Sequence, residues 1–327
     1  MVNLAGELID RRRLRRRLSF WRITAVAIAV AALIAVPFLI GLPSAFDGRL
    51  SDQIARVSIE GMILEDRKLL ELLDELKDDD NVKAVVMRID SPGGTTAGGE
   101  SIYQAVRAMA EKKPVAAQVG TLAASAGYMI AAGTDHIVAR RTSIVGSIGV
   151  IFQYVNAEKL LDTVGVEVNA IKSAPLKAEP SPFGPPPPGA EDMIRRLVMD
   201  TYDWFVGLVA ERRGIPPEEA RRLADGSIFT GQQGLGLKLV DEIGGEEAVR
   251  RWLEAEKKIP AGLKFVDRKP EDTSSFSLLG SARSLAYDLV GLDSRAGNLP
   301  AALMMKAGQL DGLVSLWQPL SSRASVQ

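Results

Sequence analysis

Three short stretches of this chain hold residues able to act on a carbonyl carbon. The first is Asp90-Ser91-Pro92-Gly93-Gly94, which follows an apolar run and precedes the small residues that open a helix. Two adjacent glycines admit backbone conformations closed to other residues and let a ligand approach their N–H groups closely. Such amides can stabilise a tetrahedral oxyanion, although an ordinary strand-to-helix turn has the same composition. The second stretch is Gly120-Thr121-Leu122-Ala123-Ala124-Ser125-Ala126-Gly127-Tyr128, a strand end running into a helix of small residues. There Ser125 can be a nucleophile at a helix N-terminus, with the amide of Ala126 beside it, or simply an N-cap. The third is Lys177, in Ser173-Ala174-Pro175-Leu176-Lys177. A lysine in water is protonated at neutral pH, but burial can lower a lysine pKa by up to about 3–5 units, and a desolvated lysine then serves as a general base. Most lysines are solvated surface groups, and the same reading is open to Lys172 nearby.

Composition removes most other chemistries. The 327 residues contain no cysteine and a single histidine, His136. Thiolate nucleophiles, disulfides and Cys- or His-rich metal sites are therefore unavailable, and no metal or cofactor is expected. A Ser-His-Asp site would have to use His136, whose neighbour Asp135 points the other way along a strand. Forty basic against forty-one acidic residues leave a net charge of −1, so no global field favours nucleic acid.

The elements that must position these residues follow from periodicity. Short β-branched runs alternate with helical stretches: Val57–Ile63, Lys68–Lys77, Val82–Ile89, Gly98–Glu111 and Val115–Val119. That rhythm predicts an α/β domain with a largely parallel sheet. It continues with a helix at Ala124–Ala132, strands at His136–Ala139 and Ser147–Tyr154, a helix at Ala157–Thr163 and a strand at Val166–Ile171. Seven prolines between Ser173 and Gly189 require a loop or extended arm. Beyond it, Ala190–Arg213 has a helical apolar pattern that stops at Gly214. Such a helix after a proline-rich arm can brace a neighbouring subunit.

The N-terminus reads as a membrane anchor. Six arginines cluster within residues 11–17, and the run Ile23–Leu42 carries no charge. Twenty residues at about 1.5 Å each reach roughly 30 Å, the hydrocarbon thickness of a bilayer. A cleaved signal peptide would have a shorter apolar core, of about 7–15 residues. The arginines are expected to stay cytoplasmic, which puts the body of the chain on the periplasmic side of a bacterial inner membrane. The expected division is 1–22 basic and cytoplasmic, 23–42 transmembrane, 43–54 linker, 55–258 enzymatic domain and 259–327 a weakly packed extension.

Taken together, the ordered motifs resemble the signal peptide peptidase A family of Ser–Lys peptidases in its short form, from about Ala55 to Trp252. They are Asp90–Gly94, Ala124–Tyr128, Ser143–Val150, Lys177, and Gly226–Gly231 leading to Gly234, Leu239-Val240-Asp241 and Gly244-Gly245. The resemblance implies a Clp protease/crotonase-like fold of repeated β-β-α units and an endopeptidase with Ser125 as nucleophile and Lys177 as base. It also implies that Ser147 orients the lysine, and that amides near Gly93, Gly94 and Ala126 form the oxyanion hole. Remnant signal peptides with small and apolar side chains are the implied substrates. The implied assembly is a dome-shaped ring, an octamer, in which neighbouring subunits supply the serine and the lysine of one site. Two positions depart from the family pattern: Ala126 stands where glycine is common, and Ala174 and Leu176 replace the usual Gly and Tyr before the lysine. Two rivals remain, an acyl-CoA enzyme of the crotonase fold and a catalytically silent membrane scaffold.

Overall fold

Three parallel strands carry the centre of the molecule: β1 (Gln53–Ile63), β2 (Val82–Thr95) and β3 (Val115–Ala124). The crossovers between them are α1 (Arg67–Asp78) and α2 (Thr96–Ala110). This computed structural model describes residues 51–270 without a break, together with 21, 22, 24, 28 and 314–316. Contacts divide the chain into two units, Met1–Asp52 and Gln53–Gln327, and every expected site residue lies in the second.

Strand side chains alternate between two apolar layers, as a period of two requires. Val57, Ile59, Met87, Ile89, Ala117 and Val119 enter the larger core, beneath α1, α2 and α3 (Ala126–Ala132). Ile54, Val86 and Ala116 face a smaller core closed by Ala248, Val249 and Leu253 of α8 (Glu246–Ala255). In α1, Leu69, Leu72, Leu73 and Leu76 share one buried face, and Asp66 caps the start by accepting from the N–H groups of Lys68 and Leu69. Each buried leucine is worth about 1.5–3 kcal/mol and the cap about 1, so the face rather than the cap fixes this helix.

The sheet bends along β3. Its first half pairs in parallel with β4 (His136–Ala139), and its last residues, Leu122–Ala124, pair with β5 (Ile144–Gly146). β5 pairs antiparallel with β6 (Ile228–Thr230), β4 continues to β7 (Glu242–Ile243), and β8 (Lys264–Asp267) lies beside β1. A last strand, β9 (Val314–Leu316), runs antiparallel along the end of β2. The remaining helices are α4 (Glu158–Val164), α5 (Ala190–Arg213), α6 (Pro217–Leu223) and α7 (Gly231–Gly236). The result is a mixed α/β fold with a predominantly parallel sheet.

Several expectations need correction. Asp90–Gly94 is not a turn but the continuation of β2, which runs on to Thr95. Pro92 is tolerated there because the register slips on both sides of it, between Ile89 and Ser91 against β3 and between Glu60 and Met62 on β1. The strands expected at Ser147–Tyr154 and Val166–Ile171 do not form. Val166, Val168 and Ile171 are exposed, and an isolated β-branched run without a neighbouring edge is not stable as a strand. Beyond Lys258, β8 adds to the sheet beside β1, and Arg250 lies over the Phe265 ring, 4.4 Å from its centroid. The expected anchor, Ile23–Leu42, falls outside the described residues except for Thr24 and Ile28. Among the described residues no helix is long and apolar enough to cross a membrane.

Candidate active site

The end of β3 delivers Ser125 to the first turn of α3. Its backbone has φ 57° and ψ −120°, a combination that non-glycine residues avoid at a cost of order 1–3 kcal/mol. Two hydrogen bonds hold it there: the Ser125 N–H donates to Gly146 O at 2.8 Å, and Ser125 O accepts from the Met129 N–H at 2.9 Å. The same molecule shows what plain caps look like. Asp66, Thr95 and Thr230 have negative φ and side chains that accept from helix N–H groups. Ser125 has the strain and no such side-chain bond, so the N-cap reading does not describe it. Ala126 begins α3, and its N–H therefore has no partner four residues back within that helix.

The glycine pair is held from beneath. Gly93 has φ 106°, open to glycine alone, and a Cβ on Gly94 would lie 1.8 Å from Ile63 O of β1. Ser91, fully buried, donates through Oγ to Gly61 O at 2.6 Å and accepts from the Gly93 N–H at 3.1 Å. The Gly93 amide is thus engaged within the protein, while Gly94 lies one residue further along the strand.

Ser147 comes close by another route. It also has a positive φ, 51°, and its N–H donates to Ser227 O at 2.7 Å just before β6. The Thr230 capping box that starts α7 fixes the far end of the same strand. Ser125 and Ser147 line one cavity of 340 Å³, whose wall is otherwise largely apolar: Val150, Ile151, Val198, Met199, Tyr202 and Ala224. Asp225 also lines it, its carboxyl held below the usual range by hydrogen bonds from the Ser227 side chain and N–H. On the helical apolar pattern of Ala190–Arg213, Val198 reads only as a packing residue. Met199, Tyr202 and Asp225 carried no signal of their own, because what joins them is the crossing of α5 over the β3–α3 junction.

Lys177 is not in this cavity. It sits in an exposed turn of the proline-rich arm, its N–H donating to Ala174 O, and Leu176 beside it is also exposed. Lys172 forms an ion pair with Glu179, whose carboxyl is held below its usual range by that lysine. The structure therefore brings together Ser125, Ser147, Ala126 and the β2 end, and leaves the lysine apart within one chain.

His136 is occupied elsewhere. Its ring stacks on Trp252 at 4.7 Å, with Glu242 at 3.5 Å from Nε2 and Asp241 at 4.0 Å from Nδ1. These acids, 105 and 106 positions further on, were hidden from a local reading, whereas Asp135 accepts from the Val115 N–H. A larger polar cleft of 580 Å³ lies over the other face of the sheet, around Arg56, Arg88, Gln118 and Arg140. The serine at its wall, Ser143, is committed to Gly120 O at 2.6 Å.

Residues 107–260, which include Ser125, Ser147 and Lys177, match peptidase family S49. A provisionally named protease of Synechocystis sp. is 40% identical over 205 residues, 61% of this chain and 73% of that protein. The chain belongs to peptidase family S49. Among other relatives, Protease 4 of Haemophilus influenzae is 31% identical over 61% of this chain and 34% of its own length. The chloroplastic serine protease SPPA of Arabidopsis thaliana is 26% identical over 82% of this chain and 40% of its own length. The chain thus spans about a third to two fifths of these two longer relatives.

Proposed function

We propose that the chain is a membrane-anchored serine endopeptidase that uses Ser125 as nucleophile and Lys177 of a neighbouring subunit as general base. The observation that carries this reading is Ser125 itself: a strained serine without a capping bond, opening into an apolar cavity beside Ser147. Strain of this kind persists where the surrounding fold imposes it, and it is concentrated at reactive positions.

In the proposed reaction Lys177 Nζ, neutral and desolvated on assembly, takes the proton of Ser125 Oγ as that oxygen attacks the peptide carbonyl. The Ser147 hydroxyl holds the amine. The N–H groups of Ala126 and Gly94 receive the developing oxyanion, and the Gly93 amide joins them if it releases Ser91 Oγ. The lysine returns the proton to the departing amine, and a water deprotonated by the same lysine hydrolyses the acyl-serine.

Assembly is supported by the arm. Across residues 151–189 most side chains are exposed, and α4 buries none. Val155 is 71% exposed, Leu160 66% and Ile171 fully so. So much apolar surface around the lysine fits a second copy of the chain better than water. The Clp protease/crotonase-like superfamily, a ring of subunits and a periplasmic catalytic domain complete the proposal, with cleaved signal peptides as substrates. The six residues named on the cavity wall fit an apolar side chain of moderate size at the residue preceding the cut.

The test is a fluorophosphonate probe followed by peptide mapping. The adduct is expected on Ser125 and absent from Ser125→Ala. A probe that leaves Ser125 unmodified under conditions where peptide is cleaved would rule this assignment out, and a scaffold would show neither cleavage nor label.

A further inference from the structure

Two lysines stand five positions apart in the arm, and the fold treats them differently. Lys172 forms an ion pair with Glu179, whose side chain is only 6% exposed. Glu179 Oε1 takes the Lys172 ammonium, and Oε2 accepts from the Ser181 N–H at 2.8 Å. Both carboxylate oxygens are thus engaged, and the lysine holds the carboxyl below its usual range. The pair closes the base of a loop, residues 173–178, every one of which is exposed. Lys177 lies in that loop, two positions from Glu179, and Ala178 between them has φ 60°, which turns the chain sharply. The loop is tied within itself, the Lys177 N–H donating to Ala174 O at 3.1 Å and the Glu179 N–H to Leu176 O at 3.4 Å. Among the described residues Lys177 forms no ion pair, although Glu179 is the acid nearest to it in sequence.

We infer that Lys172 is a positioning residue: it occupies Glu179, so that this carboxylate does not capture Lys177 and the Lys177 amine stays free to give up its proton. This rests on the reading of Lys177 as general base. A carboxylate within about 4–6 Å of an ionisable group of opposite charge favours the charged form by about 1–3 units. An amine held in that way stays an ammonium at neutral pH and accepts nothing. The flexible stem of a lysine lets it follow a neighbouring carboxylate, and a sharp turn at Ala178 sets the two side chains on one short loop. The cavity that receives the amine on assembly brings two further titratable groups, and both are committed by their own neighbours. Asp225 accepts from the Ser227 side chain and N–H, and the Tyr202 hydroxyl donates to Ala224 O at 2.9 Å. Glu179 differs from them, because Lys172 is the side chain on which its engagement depends.

The test is the pH profile of kcat/KM for an uncharged fluorogenic peptide, measured on the full chain. In Lys172→Met the alkaline rise moves up by about one unit or more, so activity below the rise falls about tenfold or more. In Lys172→Met with Glu179→Gln the captor is gone as well, and the rise returns to its parental position. Lys172→Arg keeps the pair and the parental profile. A clasp that merely shaped the loop would lower activity alike at every pH in Lys172→Met, and the second substitution would rescue nothing; that outcome overturns the inference. An unmoved rise in Lys172→Met overturns it too and leaves the base standing, whereas a flat parental profile overturns the base and the inference with it. The same shift is read without turnover, from the pH dependence of Lys177 acylation by acetic anhydride mapped by mass spectrometry. That measurement decides the matter if Lys172→Met fails to assemble: half-reaction at a higher pH than in the parent upholds the inference, and half-reaction at the same pH overturns it.

Discussion

At Ser125 the protein holds a side chain where the backbone would prefer none. With φ 57° and ψ −120°, the position suits glycine, yet it carries an oxygen that caps nothing. Stability and activity should therefore part company there. Ser125→Gly relieves strain of order 1–3 kcal/mol and gives back about 0.5–1 in unfolded-state entropy, so a net gain of about 1 kcal/mol is expected with complete loss of peptide cleavage. Thermal unfolding and a peptidase assay on the same preparation check it, and a destabilised Ser125→Gly would mean that the fold does not strain this residue. Three residues on, Tyr128 is fully buried and donates to Leu239 O at 2.9 Å; burial raises its hydroxyl pKa well above the ordinary value. The folded state then retains a proton that the unfolded chain loses near pH 10, so this contribution is complete below about pH 10 and declines as pH rises beyond it. Tyr128→Phe, which leaves a carbonyl without its donor, should cost about 1–2 kcal/mol at pH 8. Its stability gap to the parent should narrow above pH 10 in urea titrations.

At the scale of elements, the glycine pair shows why the site needs its strands in one register. A Cβ at Gly94 would meet Ile63 O at 1.8 Å, backbone against backbone, so Gly94→Ala must push β1 from β2. A loss of at least about 3 kcal/mol is expected by chemical denaturation, since nothing flexible can yield. A smaller loss with full activity would show that the two strands have slack. The regular elements near the nucleophile were legible in the chain because pattern and packing agreed: the four leucines of α1, the β-branched runs of β1 to β3, and Ala190–Arg213 ending at Gly214, where φ is 59°. Ser125 and the glycine pair stood out as residue types in short motifs, whereas Ser147 was reached only through the family resemblance. The cavity was not legible, because its wall comes from β5's exit, α5 and the Ala224–Gly226 turn, elements far apart in sequence. Nor was the failure of Val166–Ile171 to pair, since a β-branched run states a preference and only a neighbouring edge can satisfy it. The N-terminal half of α5 tells the same story, for Leu197 looks like a core residue in the periodicity but is exposed within one copy.

For the whole molecule, Lys177 lies in an exposed turn and does not line the cavity of Ser125, and the proposed dyad split between chains has a consequence no single-chain site shares. On that proposal Ser125→Ala keeps a good lysine and Lys177→Met keeps a good serine, so each homogeneous assembly should be inactive. In a ring built by head-to-tail contacts, each site draws its serine from one subunit and its lysine from the next. Mixed at equal amounts before assembly, the two variants should then restore about a quarter of parental activity, the chance that a serine-bearing subunit meets a lysine-bearing neighbour in the right order. The restored sites should show the pH dependence that a lysine base imposes, activity rising from mild acid to alkali as the amine loses its proton. Mixing after assembly should restore nothing until subunits exchange, and dilution that dissociates the ring should abolish parental activity. Should the co-assembled variants stay silent while both fold and associate, serine and lysine must come from one chain, and the exposed arm would have to fold back on its own cavity to bring them together.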